Sequence, residues 1–299
     1  MNIDVTNKCN LRCSYCYNSW NLNRGLDIDT EKCIDLITEL FEVHSIFHLT
    51  IAGGEPLLHK GIFEVIEKCF IKYDPRIVLL SNGTALLNNS IYAKFSTVCS
   101  KLNDAGTPLK MQISLDSQIP EIHDLQRDRG TDVLVAIQKV LALPVELQLA
   151  CVITKQNITV ADQIIEFYYP KVKNFHFMNI MPSPGRSGGE HYWNMIPDPQ
   201  DIEDFHAHIL EIEKKYSPIK ISKIKSDCEL DMHGGTIKGR GCLAGTTRIE
   251  IDPYLDVRAC CMATETLGNL NNQSFDELWY SDKAENIRSN PEPYCLVWR

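Results

Sequence analysis

The sequence predicts an α/β protein built as a partial (β/α)6 barrel with a small C-terminal domain. Three observations carry this. Six short apolar runs alternate with longer amphipathic ones through the first 180 residues, a Pro-, Gly- and Ser-rich break begins at residue 181, and a second cysteine-rich unit starts near residue 241. Strands of four to eight residues separated by helical patterns argue for successive βαβ units and a parallel sheet. Six strands fall short of the eight that close a full barrel, so the sheet is expected to stay open.

Taken in order, the apolar runs at 2–6, 47–52, 76–81, 110–115, 146–153 and 174–180 read as strands. The amphipathic runs at 30–43, 61–73, 90–102, 131–143 and 159–168 read as the helices between them. MPSPGRSGGEHYWNMIPDP is a loop by composition. A helix is expected over 201–216, then a polar connector in which His233, Gly234 and Gly235 are loop residues. Beyond it, 246–251 and 256–260 form a hairpin around Asp252 and Pro253, and a helix covers 274–279. The expected organisation is a barrel over 1–190, a linker and helix over 191–240, and a C-terminal domain over 241–299.

With 299 residues, 44% of them hydrophobic and 23% charged, the composition excludes disorder and a collagen-like fibre. No apolar run reaches the roughly 18 residues of a membrane span. The start, MNIDVTNKCN, lacks the apolar core of an export signal, so a cytoplasmic location is expected. A net charge of −9 has the wrong sign for tracking a phosphate backbone, which disfavours a nucleic-acid partner. In a reducing compartment the twelve cysteines read as metal or cluster ligands before disulfides. Cys33, Cys69, Cys99 and Cys151 fall within strand or helix patterns and are expected as small buried apolar residues.

Cys9, Cys13 and Cys16 form C-x3-C-x2-C directly after the first strand, a spacing that chance would give in about 0.02 of such chains. Three thiolates on one tight loop can hold three irons of a [4Fe–4S] cluster and leave the fourth open. A zinc loop with its fourth ligand elsewhere is the alternative. CNLRCSYCY, with Tyr15 before the third cysteine, resembles the signature of the radical S-adenosylmethionine enzymes. Ala52-Gly53-Gly54-Glu55-Pro56 resembles the family's GGEP motif, Ser81-Asn82-Gly83-Thr84 its SNGT segment, and Ser114-Leu115-Asp116 the motif that meets the ribose. His123-Asp124 with Arg127 and Gly130 resembles a further family stretch.

The resemblance implies a [4Fe–4S] cluster on Cys9, Cys13 and Cys16. It further implies S-adenosylmethionine bound by Gly53, Gly54, Glu55, Pro56, Asn82, Ser114, Asp116 and Arg127. Met178, on the exit of the sixth strand, is a candidate for the adenine, although packing is the favoured reading. In such enzymes the cofactors generate a 5′-deoxyadenosyl radical that takes a hydrogen atom from a substrate carbon, with electrons from a reduced flavodoxin- or ferredoxin-type donor.

Cys242, Cys260, the Leu267-Gly268-Asn269 segment, Trp279 and Cys295 resemble the auxiliary iron–sulfur extension called SPASM, or its shortened form, twitch. On that match Cys242, Cys260 and Cys295 bind a second [4Fe–4S] cluster, with one ligand missing that Cys228 could supply. A zinc knuckle is the alternative. Leu255 stands where the extension usually has glycine. Adjacent side chains on a strand point to opposite faces, so Cys261 is expected to be a spare thiol facing the barrel mouth. It resembles the hydrogen donor of radical epimerases. The expected reaction is epimerisation of a peptide or aminoglycoside-type (aminocyclitol) substrate with Cys261 as donor. The alternatives are dehydrogenation or crosslinking with the auxiliary cluster as electron acceptor, and a non-catalytic iron–sulfur or zinc protein.

Overall fold

The computed structural model describes residues 1–16, 25–180, 194–222 and 244–290. Its first six strands fall where the apolar runs put them: β1 (Asn2–Asp4), β2 (Leu49–Ala52), β3 (Ile77–Ser81), β4 (Leu109–Ser114), β5 (Val145–Ile153) and β6 (Asn174–Asn179). They pair in sequence order and in parallel. The connections carry α1 (Thr30–Glu42), α2 (Ile62–Tyr73), α3 (Asn89–Asp104), α4 (Pro120–Asp124), α5 (Gly130–Leu141) and α6 (Gln163–Tyr168). The first of these shows why. Asp29 caps α1 by accepting from the Lys32 N–H at 3.1 Å, and Cys33, Leu36, Ile37, Leu40 and Phe41 recur at helical spacing as its buried face.

Burial alternates along β3 and β4 as a sheet with one side against helices requires. On β4, Leu109, Met111 and Ile113 are buried with the helices, while Lys110, Gln112 and Ser114 are half-buried on the other, concave side. Cys33, Cys69, Cys99 and Cys151 all lie in the buried core, as small apolar residues would. Among the described residues no helix is long and apolar enough to cross a membrane.

Two features depart from expectation. A seventh parallel strand, β7 (Lys220–Ser222), follows α7 (Pro199–Lys215) and pairs with β6, inside the stretch read as a linker. Three residues are too few to register as an apolar run. The C-terminal unit also continues the barrel sheet. Its strand β8 (Glu250–Ile251) runs parallel beside β1, with Asn2 opposite Glu250 and Ile3 opposite Ile251. Strands β9 (Asp256–Arg258) and β10 (Gly268–Asn269) then follow antiparallel, with α8 (Phe275–Trp279) and α9 (Asp282–Ser289) after them. Among the described residues, ten strands make one sheet, running from β10 at one end to β7 at the other.

Chain direction then fixes two ends of the concave side. The loops after β1 to β4 share the C-terminal end, where barrel chemistry is placed. The hairpin β8–β9 reaches that end with its turn, where the Asn7 side chain donates to the Tyr254 hydroxyl at 3.4 Å. It returns antiparallel, so Cys260 and Cys261 follow β9 at the level where β1 begins.

Candidate active site

Cys9, Cys13 and Cys16 all lie on the loop after β1, and the neighbouring strand ends are shaped to receive it. Gly53 has φ +139°, and a Cβ there would lie 2.5 Å from the Thr6 carbonyl oxygen. A Cβ at Gly54 would overlap the Lys8 carbonyl. These glycines let the β2 exit lie against residues 6–9, where Gly54 N–H donates to Thr6 O at 2.8 Å and Glu55 N–H to Lys8 O at 2.7 Å. Lys8 is fixed in turn by its 2.6 Å ion pair with Asp27.

Glu55 is fully buried behind this contact. Its carboxylate accepts from Ser81 Oγ at 2.7 Å, Asn82 N–H at 2.7 Å and Leu57 N–H at 3.1 Å. Burial nonetheless raises its pKa from 4.5 to about 7. Pro56 begins a buried 3-10 turn. Asn82 links the β3 exit to the thiol loop: its amide donates to Asn10 Oδ1 at 3.0 Å, and Asn10 donates back to Thr84 Oγ1 at 2.8 Å. The role of Asn10 was not singled out from the sequence, although its place directly after Cys9 was the available signal.

A second tie comes from the β4 exit. Asp116 is fully buried, and one carboxylate oxygen accepts from both the Tyr15 hydroxyl and Arg127 Nε, the latter at 2.8 Å. The other accepts the Val152 N–H at 3.0 Å. His123 Nδ1 takes the Asp116 N–H at 3.2 Å, and burial lowers that imidazole from 6.5 to about 4. Asp116, which the resemblance places at the ribose, holds these three partners inside the protein through its carboxylate. Ser114 is half-buried on the concave side and makes no side-chain hydrogen bond to a described residue. Met178 is half-buried opposite Val152.

Arg127 reaches beyond Asp116. Its Cζ lies 5.0 Å from the Tyr15 ring centroid and its Nη1 lies 3.9 Å from Cys13 Sγ. Burial pushes the Cys9 thiol up to about 11 and the Cys13 thiol up to about 12. Among the described residues no three Cys, His, Asp or Glu groups converge as a single-ion site. Three soft thiols on one loop with a guanidinium beside them suit a polynuclear iron–sulfur group, whose negative charge that cation offsets.

At the other end, Cys260 and Cys261 depart from the alternation expected of a strand. Their sulfurs lie 3.9 Å apart on one side of the chain. Strand geometry ends at Arg258 and the backbone turns, with Ala263 N–H donating to Cys260 O at 2.9 Å, so strict alternation no longer applies. The pair also lies at the N-terminal end of β1, away from the mouth formed by the β1 to β4 exits. Cys260 is buried and Cys261 more exposed. The shared hydrogen bond lowers the Cys260 thiol from its ordinary value. Cys228, Cys242 and Cys295 lie outside the described residues.

Before β9, Asp252 organises the turn, its carboxylate accepting from Tyr254 N–H at 2.9 Å, Asp256 N–H at 3.1 Å and Arg258 Nη1 at 2.7 Å. Leu255 sits in that turn at φ +66°. A family glycine there has a conformational reason.

The radical SAM superfamily model matches residues 3–166, and a model described as SPASM, an iron–sulfur cluster-binding domain, matches residues 242–296. A probable GTP 3′,8-cyclase of Methanocaldococcus jannaschii is 27% identical across 99% of this chain and 92% of that one. The mycofactocin maturase MftC of Mycolicibacterium smegmatis is 26% identical across 97% of this chain and 71% of that one. Among solved structures, Streptococcus suis SuiB bound to its precursor peptide SuiA superposes with a TM-score of 0.76 at 17% identity. That match covers 99% of this chain and 69% of SuiB.

Proposed function

The chain belongs to the radical SAM superfamily, and from that premise we propose that it modifies a peptide by taking a hydrogen atom from one of its carbons and epimerises that carbon with Cys261 as hydrogen donor. Membership brings a [4Fe–4S] cluster and S-adenosylmethionine, and the SPASM domain is a cluster-binding domain. When bound, the two cofactors supply a 5′-deoxyadenosyl radical. Cys9, Cys13 and Cys16 would hold the first cluster. Gly53, Gly54, Glu55, Pro56 and Asn82 form the wall against its loop, while Ser114, Met178 and Arg127 would meet S-adenosylmethionine. Cys260, with Cys242 and Cys295, would hold the auxiliary cluster.

The observation that carries the finer reading is the separation of the two thiol groups along β1. Cys9 to Cys16 follow the end of that strand, and Cys260–Cys261 lie level with its start. The three residues of β1 span about 10 Å, so a substrate carbon on the concave side is approached from opposite ends. Hydrogen leaves toward the first loop and returns from Cys261, which inverts the centre. The Cys261 S–H bond breaks, a C–H bond forms, and one electron and one proton restore the thiol. A cytoplasmic reduced flavodoxin- or ferredoxin-type protein is the electron source. The likeness to a structure bound to a precursor peptide supports a peptide over an aminoglycoside.

The second reading is oxidation or crosslinking of the peptide, which the likeness to a maturase and the 3.9 Å sulfur pair favour, since both thiols could then serve the auxiliary cluster. Anaerobic turnover with candidate peptides in deuterated water separates the two. Epimerisation gives a product one mass unit heavier, with deuterium on carbon, and Cys261→Ala abolishes it while 5′-deoxyadenosine still forms. A product two units lighter that survives this substitution establishes the second reading instead.

A further inference from the structure

We infer that Asp116 and Tyr15 are positioning residues that aim the Arg127 guanidinium at the Cys13 sulfur, and that this cation raises the reduction potential of the N-terminal cluster. The inference rests on Cys9, Cys13 and Cys16 holding that cluster. Arg127 Nε is taken by Asp116 at 2.8 Å, which leaves the terminal nitrogens free to turn toward the loop, and Nη1 lies 3.9 Å from Cys13 Sγ. Arg127 Cζ lies over the Tyr15 ring, 5.0 Å from its centroid, and the Tyr15 hydroxyl closes on the same carboxylate oxygen. The Arg127 side chain is only 11% exposed and Asp116 not at all, so water screens the group weakly.

A cation next to a ligating sulfur stabilises the reduced cluster, which carries one more negative charge, and so raises the potential. Geometry explains why arginine stands here. A guanidinium can give Nε to the carboxylate and Nη1 to the sulfur together, whereas a lysine ammonium is a single point. The tie also anchors the loop directly, because Tyr15 lies between Cys13 and Cys16. The β4 exit thus sets both the loop's position and the charge beside the Cys13 thiol.

The test is a potentiometric titration of the anaerobically reconstituted full chain without S-adenosylmethionine, read on the EPR signal that changes when S-adenosylmethionine is added. Arg127→Gln is expected to shift that midpoint to lower potential, and Arg127→Lys to shift it less. Asp116→Asn decides between orientation and bare charge. If Asp116 aims Arg127, removing its charge frees the guanidinium and the midpoint falls. If Asp116 acts only as a nearby anion, the midpoint rises, and a rise or no change overturns the inference. Should these variants fail to load iron, Tyr15→Phe carries the test: a smaller fall supports the tie, and an unchanged midpoint overturns it. A wild-type signal indifferent to S-adenosylmethionine would overturn the loop assignment itself, and the inference with it.

Discussion

Glu55 is a carboxyl group whose surroundings pull in opposite directions. Three donors favour its ionised form, yet burial outweighs them and raises its pKa from 4.5 to about 7. The folded state therefore holds the proton more tightly than the unfolded chain. Its contribution to stability is complete below pH 4.5 and is lost as pH rises through about 7. Urea unfolding of the apoprotein at about pH 5 and about pH 8 should show wild type losing more stability than Glu55→Gln over that interval. Leu255 poses another contest. Its left-handed backbone costs about 1–2 kcal/mol, which glycine would relieve. The side chain is also buried, and removing a buried leucine costs more, about 2–5 kcal/mol. Leu255→Gly should therefore lower stability by about 2 kcal/mol in denaturant melts.

At the scale of elements, the thiol loop is held by the exits of β2, β3 and β4 through Gly54, Asn82 and Asp116. Gly54→Ala would push a methyl into the Lys8 carbonyl. The variant should reconstitute with less than half the wild-type iron per chain while keeping its far-ultraviolet circular dichroism. The alternation of apolar and amphipathic runs located β1 to β6 and α1, α2, α3, α5 and α6 to within a few residues, because each strand buries one side against a helix, but gave no sign of the five-residue α4. The grouping of Cys9, Cys13 and Cys16 after β1 is legible in their spacing, whereas the close approach of Gly53 and Gly54 to residues 6–9 shows only in the fold. What was not legible depends on partners far away in the chain. Asp116 reads the same whether its carboxylate faces a ligand or Arg127, and Cys261 reads as a strand residue until the turn at Ala259 is seen. Strand β7 is short enough that only its pairing with β6 defines it.

Across the whole molecule, the decisive joint is β8 on β1. Ile251 is fully buried and opposite Ile3, so a charge there must go into the core. Ile251→Asp should destabilise the protein by at least about 3 kcal/mol. It should also speed hydrogen exchange at the Asn2 amide, which donates to Ile249 O at 2.9 Å. The same joint fixes where Cys260 and Cys261 stand relative to the N-terminal loop, since the register of two strands sets the span between the two thiol groups.

That joint also imposes an order on biosynthesis. The three N-terminal thiols leave the ribosome first, but the strand that carries them gains its second neighbour only when residues near 250 have been made. At about 5–20 residues per second, β1 spends roughly 12–50 s with one flank open. During that interval it is a template onto which a strand from another nascent chain could add. Conditions that slow translation through the second half of the message, or that shorten the chain before β8, should therefore raise the insoluble fraction even when every residue of the first loop is intact.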